Sequence, residues 1–249
     1  YQDSAGSVWV GSPAGMGRLD SATGQLRLLP KQDTPYHLHN QLIYDFIPSQ
    51  QGHLWLPTAR GLYAWHPQRG ILAHWWTGAQ GRYHLPHDAI HHLLENPDGT
   101  LWLATGGGGL VHLDPGQVSP RPTPLATGDS GIQAYRQISV SDGLPHNTLY
   151  AVYRDARAHL WISSDYGIIR FDPQNNRIRV FLPRDGITHQ EFNRLSHHQA
   201  ADGTLFFGGL NGLTAFHPRD FDDTSTPLCA PLELTEFQQY DQTRGQLVN

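Results

Sequence analysis

The 249-residue sequence predicts an all-β fold built from repeated four-stranded units, on three observations. First, a phrase of small residue, any residue, aliphatic and aromatic recurs five times. It reads Gly6-Ser7-Val8-Trp9, Gly52-His53-Leu54-Trp55, Gly99-Thr100-Leu101-Trp102, Ala158-His159-Leu160-Trp161 and Gly203-Thr204-Leu205-Phe206, with the aromatics 46, 47, 59 and 45 residues apart. Second, four units close on an apolar residue, an acid or His, and Pro. These are Trp65-His66-Pro67, Leu113-Asp114-Pro115, Phe171-Asp172-Pro173 and Phe216-His217-Pro218, while the first unit ends at Leu19-Asp20-Ser21. Third, 26 Gly and 18 Pro beside seven Trp and only 16% charged residues suit short strands joined by tight turns, not a helical bundle. Four short antiparallel strands every ~45 residues is the pattern of a β-propeller blade.

The units fall at about 1–34, 35–82, 83–140, 141–186 and 187–220 of a propeller spanning 1–220. Period-2 alternation in the fourth divides it into strand A over Thr148–Arg154, B over Leu160–Ser163, C over Gly167–Phe171 and D over Arg177–Leu182. Turn chemistry joins A to B at Asn96-Pro97-Asp98-Gly99 and Ala201-Asp202-Gly203, where Gly suits a positive φ. The repeated Trp is expected to pack between adjacent blades. The 59-residue interval holds a Pro-rich insertion from Pro115 to about Gly131, too stiff for a helix and expected as a surface loop. The first unit lacks a strand A and the fifth a clear strand D. Residues 221–230 read as a linker, and Pro231–Phe237 as one alternating strand opening a further element over 231–249.

Composition narrows the function. A net charge of −5 leaves no basic footprint for nucleic acid or anionic lipid, and no run of 18 apolar residues spans a membrane. The lone Cys229 excludes an intrachain disulfide. Tyr1 carries no initiator Met or signal-peptide pattern, which fits a mature or excised segment.

The fourth and fifth units carry a closer resemblance. Asp142-Gly143-Leu144-Pro145-His146-Asn147 followed by His159-Leu160-Trp161-Ile162-Ser163-Ser164 resembles the two-component regulator propeller repeat. Gly208-Gly209-Leu210-Asn211-Gly212-Leu213-Thr214-Ala215-Phe216-His217-Pro218 is similar to the last such repeat, after which the family continues into an Ig-like domain with three tyrosines. Pro231–Phe237 stands where that domain would open. The resemblance implies a periplasmic, non-catalytic sensor module of a bacterial transmembrane receptor whose output is a histidine kinase or diguanylate cyclase outside this chain. It implies an unidentified small-molecule or glycan ligand, no cofactor, and neighbouring blades and the Ig-like domain as partners. A homodimer of the full receptor is a further expectation. The family's rings have about seven blades, so five units predict an open arc with exposed edges.

The candidate site lies on the face shared by the D–A and B–C loops. The D–A loops place His39-Asn40, His87-Asp88, His146-Asn147 and His189-Gln190 at equivalent positions, a polar rim able to meet sugar hydroxyls or carboxylates. The competing structural reading is that the Asn and Asp side chains close the turns and the His merely precede them. The B–C loops add Arg60, Asp165, Tyr166 and Asn211, since Arg donates in a fork and Tyr can stack on a sugar. Gly106–Gly109 lacks the Lys-Ser/Thr of a phosphate loop and is read as a hairpin turn with an extra residue. His84, His87, His91 and His92 invite a metal, but His91 and His92 are adjacent on a strand and alternation sends them to opposite faces; His197-His198 meets the same objection. No metal or catalytic residue is therefore assigned. An enzyme of the streptogramin-lyase type, which Gly6 to Gly24 resembles, and an interaction scaffold of the WD40 kind are the alternatives.

Overall fold

In the computed structural model, which describes residues 1–3, 5–30, 37–116, 118, 134–221, 239–241 and 246–248, five antiparallel sheets form a five-bladed β-propeller. Blade 1 holds β1 (Val8–Ser12), β2 (Gly15–Leu19) and β3 (Leu26–Leu28). Blade 2 holds β4 (Ile47–Pro48), β5 (Leu54–Thr58), β6 (Gly61–His66) and β7 (Gly70–Trp75). Blade 3 holds β8 (Ile90–Glu95), β9 (Leu101–Thr105), β10 (Leu110–Leu113) and β11 (Tyr135–Ile138). Blade 4 holds β12 (Leu149–Arg154), β13 (Leu160–Ser164), β14 (Ile168–Asp172) and β15 (Arg177–Phe181), each within one residue of its expected bounds. Blade 5 holds β16 (Phe192–Gln199), β17 (Leu205–Gly209) and β18 (Gly212–Phe216). Blades 1 and 5 have three described strands each. The propeller ends at Phe216; His217–Asn249 is a second compact unit containing the hairpin β19 (Gln239–Asp241) and β20 (Gln246–Val248). The expected linker beyond Phe221 and the strand over Pro231–Phe237 lie outside the described residues, as does nearly all of the Pro-rich insertion.

The repeat phrase explains the packing. Its first residue sits in the A–B turn with φ of +80 at Gly6, +81 at Gly52, +84 at Gly99, +66 at Ala158 and +92 at Gly203, a conformation that favours a small side chain. Three residues on, the aromatic leaves the strand toward the next blade. Trp9 meets Trp65 edge-on at 4.7 Å, Trp102 meets Phe171 at 5.9 Å, and Trp161 meets Phe216 at 4.9 Å. Trp55 joins Leu113 in one buried cluster. The partner is each time the apolar residue of the closing phrase, so the two halves of the repeat pack on each other across a blade boundary. The core accordingly lies between blades: one cluster joins blades 1 and 2, another blades 2 and 3, and a third blades 3 and 4. Three of the repeat indoles also donate their N–H groups to carboxylates. Trp9 donates to Asp3 at 2.9 Å, Trp161 to Asp155 at 2.9 Å, and Trp55 to Glu95 of the following blade at 3.2 Å.

Candidate functional site

The B–C turns and the D–A loops are joined by backbone hydrogen bonds. Gly61 donates to the Asp88 carbonyl at 2.6 Å, Gly109 to that of Asn147 at 2.8 Å, and Gly167 to that of Gln190 at 2.5 Å; between blades 1 and 2, Asn40 donates to Ala14 at 3.0 Å. The residue after each His of the rim therefore stitches its loop to the preceding blade through its main chain.

The His side chains close the same turns. His87 Nδ1 accepts from the Ala89 amide at 3.1 Å, His146 Nδ1 from Thr148 at 3.0 Å, and His189 Nδ1 from Glu191 at 3.0 Å. The imidazole thus plays the part that turn chemistry assigns to Asn or Asp, and a neutral ring keeps its proton on Nε2. The acids and amides are also engaged. Asp88 accepts from the Thr77 amide and hydroxyl at 2.8 and 3.0 Å, and Asn147 Oδ1 from Val140 at 2.9 Å. His87 packs over the blade 3 hairpin, where a Cβ on Gly107 would lie 2.9 Å from the ring Nε2 and one on Gly108 2.8 Å from His87 Cβ, so the Gly106–Gly109 run makes room for it. His146 stands 3.7 Å from Asp165, which accepts the Tyr150 hydroxyl proton in a short hydrogen bond. These three residues form one group. Arg60, Tyr166 and Asn211 are exposed on separate B–C turns, and His39 and Asn40 lie beside blade 1, apart from that group.

The feature that sequence reading passed over is Trp76. It follows β7 on the same face, a residue 38% exposed whose ring is stacked parallel on His74 at 5.8 Å, which stacks in turn on Tyr63 at 3.9 Å. His74 Nε2 bonds to the Arg60 carbonyl at 2.7 Å, which draws the B–C turn of blade 2 to the stack. The backbone under the ring is fixed on both sides: Trp76 donates to Tyr83 at 3.0 Å and accepts from Leu85 at 3.1 Å. The result is a partly exposed aromatic ring on a fixed backbone, with Gly78 packed against it and the Arg60 turn and Asp88 at its margin. A signal existed, since Trp76 is a tryptophan that belongs to neither half of the repeat.

A second cluster lies among the inner strands. A register shift between Ile90 and His92 in β8 breaks the expected alternation, and both imidazoles reach β12: His91 Nδ1 bonds to the Leu149 carbonyl at 2.8 Å and His92 Nδ1 accepts from Val152 at 3.2 Å. His91 lies between the rings of Tyr44 and Tyr150, and His92 between those of Tyr153 and His197. The Tyr153 hydroxyl and His197 Nδ1 are 2.7 Å apart, and Arg194 of blade 5 donates to the Tyr44 hydroxyl of blade 2 at 3.0 Å. His197 and His198 do obey alternation, His198 facing Phe206 instead. Among the described residues no three His, Cys, Asp or Glu side chains converge as metal ligands. The cluster spends its polar atoms on itself and so ties four blades together.

Burial pushes His91 and His92 down to about 4 and His197 to about 3 from an ordinary 6.5, because a charged imidazole there loses its water. With the folded values lower than the unfolded one, their contribution is complete above about pH 6.5 and is lost as pH falls toward the folded values. Denaturant midpoints measured at about pH 7 and about pH 5 should show a loss on the order of 1 kcal/mol for each of His91 and His92. Equal midpoints would mean that these rings titrate alike in the folded and unfolded chain.

Comparison with known proteins bears on this geometry. The family model of the two component regulator propeller matches residues 84–107, which run from the His87-Asp88 loop through β8 and β9 to the B–C turn of blade 3. Over 77 residues, 31% of this chain, the sequence is 30% identical to Histidine kinase P4 of Formosa agariphila, covering 6% of that protein. Two extracellular domains from B. thetaiotaomicron, assigned to the hybrid two component systems BT4673 and BT3049, superpose with TM-scores of 0.68 and 0.64. They are 20% and 21% identical, over 88% of this chain and 29% and 27% of theirs. Virginiamycin B lyase of Staphylococcus aureus superposes at 0.50 with 16% identity over 87% of this chain and 68% of its own. At these identities the structural matches establish the propeller fold. The chain spans less than a third of the two extracellular domains and a small part of the kinase.

Proposed function

We propose that this chain is the ligand-sensing propeller module of an extracytoplasmic receptor of the two-component type, with its ligand held without covalent chemistry on the Trp76 face. The regulator repeat at 84–107 supports the receptor context, as do the partial match to a histidine kinase and the likeness to extracellular domains. The observation that carries the binding role is the partly exposed Trp76 ring beside the Arg60 turn. A pyranose face lies flat on such a ring, and guanidinium and amide groups at the margin meet its hydroxyls. The His146–Asp165–Tyr150 group on blade 4 extends the same polar face. Ligand would act by favouring one arrangement of the receptor over another. Indole fluorescence, followed while neutral and acidic oligosaccharides are added, tests the reading. A saturable change is expected, with Trp76→Ala weakening affinity by about tenfold or more, equal to about 1.4 kcal/mol, at an unchanged unfolding midpoint. Equal affinity of wild type and Trp76→Ala would remove the ring from the binding site.

A further inference from the structure

One atom of the inner-strand cluster is left unspent. His91 Nδ1 lies 2.8 Å from the Leu149 carbonyl, which only accepts, so the proton of the neutral ring sits on Nδ1 and Nε2 carries a lone pair. That lone pair meets no hydrogen-bond donor among the described residues, although His91 is only 4% exposed. His87 is the converse. Its Nδ1 accepts from the Ala89 amide at 3.1 Å, so Nε2 bears the proton, and no acceptor for it stands among the described residues.

Both nitrogens face the B–C turn of blade 3. His87, Ala89 and His91 take alternate places in the chain, and all three line Gly106–Gly108. A Cβ on Gly106 would lie 2.9 Å from His91 Nε2, and one on Gly107 2.9 Å from His87 Nε2, so a side chain at either place would cover a ring nitrogen. The amide equivalent to Gly106, bonded to the start of the inner strand, belongs to Ala59 in blade 2 and to Asp165 in blade 4. Those blades carry a side chain where blade 3 has none. Gly106, Gly107, His87 and Ala89 are half-buried, so the turn reaches solvent. It also adjoins the Trp76 ring, because Asp88, next to His87, holds the amide and hydroxyl of Thr77, next to Trp76.

We propose that this glycine turn is a second subsite for the ligand of the Trp76 face, and that it takes a sugar ring with neighbouring hydroxyls. One hydroxyl donates to His91 Nε2 and the next accepts from His87 Nε2–H. A buried acceptor left unpaired is costly, so the bound hydroxyl replaces a partner that the fold does not supply. The subsite rests on the reading of the Trp76 face as the ligand's seat.

Imidazole nitrogen NMR on the full chain at about pH 7 tests it, with unsubstituted and uronate-containing gluco-, manno- and galacto-oligosaccharides as probes. A probe that binds should shift the Nε2 signals of His91 and His87 saturably and leave His66, in the C–D turn of blade 2, unmoved. His87→Asn keeps an oxygen for the Ala89 amide and removes the Nε2 donor. It should raise Kd about tenfold at the wild-type unfolding midpoint. Gly106→Ala covers His91 Nε2 and should do at least as much; if it lowers the midpoint, His87→Asn alone decides. A probe that changes the indole fluorescence but moves neither imidazole, or binds His87→Asn as tightly as wild type, overturns the subsite and leaves the Trp76 reading standing. Imidazole shifts without any effect of Trp76→Ala keep the subsite and overturn the Trp76 reading. Probes that move neither the imidazoles nor the indole overturn both.

Discussion

Trp161→Ala should lower the stability of the propeller by about 3–5 kcal/mol, the range for removing a fully buried indole. Trp161 is 1% exposed, packs on Phe181 of its own blade at 5.5 Å and on Phe216 of blade 5 at 4.9 Å, and its N–H satisfies Asp155. Truncation opens a cavity at a blade boundary and leaves a carboxylate without one of its donors. Asp155 keeps the Arg157 and His159 amides at 2.8 and 2.9 Å, so the loss comes chiefly from packing. Urea denaturation followed by far-ultraviolet circular dichroism measures it, and Trp161→Phe should recover more than half. A loss below about 1 kcal/mol would mean that blades 4 and 5 are held by something other than the repeat aromatic.

Gly61→Ala should cost about 3 kcal/mol or more, through backbone strain combined with overpacking. Gly61 has φ +106, and a Cβ there would lie 2.1 Å from the Trp75 carbonyl oxygen and 3.0 Å from Trp76 Cβ. Neither the strand end nor the Asp88 carbonyl that Gly61 bonds can move without unstitching blades 2 and 3. Gly52 supplies the contrast. It also has a positive φ, +81, but a Cβ there meets nothing within 4 Å, so Gly52→Ala should cost only about 1–2 kcal/mol. The repeat already contains that substitution, since Ala158 holds φ +66 at the equivalent turn. Equal losses for the two variants would show that the clash is relieved by local movement.

These effects mark what the sequence makes legible. The strands of blade 4 and the direction of the Trp residues follow from alternation and spacing, because a propeller repeats one local solution and each blade buries its faces on neighbours of the same pattern. The rim was visible only in outline. Equivalent His residues announce a shared position, but whether a ring meets ligand or its own turn depends on which atom faces the amide two residues on, and pattern alone carries no such geometry. Trp76 escapes a search for repeats because it repeats nowhere. The inner-strand cluster was obscured by the β8 register shift, which defeats the period-2 rule at His91 and His92 and lets both reach β12.

The Trp76 face can be tested without assuming which residues matter. Amide hydrogen exchange of the full chain, with and without an oligosaccharide that changes its indole fluorescence, reads the footprint directly. The account predicts slower exchange at the Arg60–Gly61 turn and in the 76–89 loop, with the A–B turns at 52–53 and 158–159 unchanged. Protection confined to those A–B turns, on the opposite face of the blades, would contradict it.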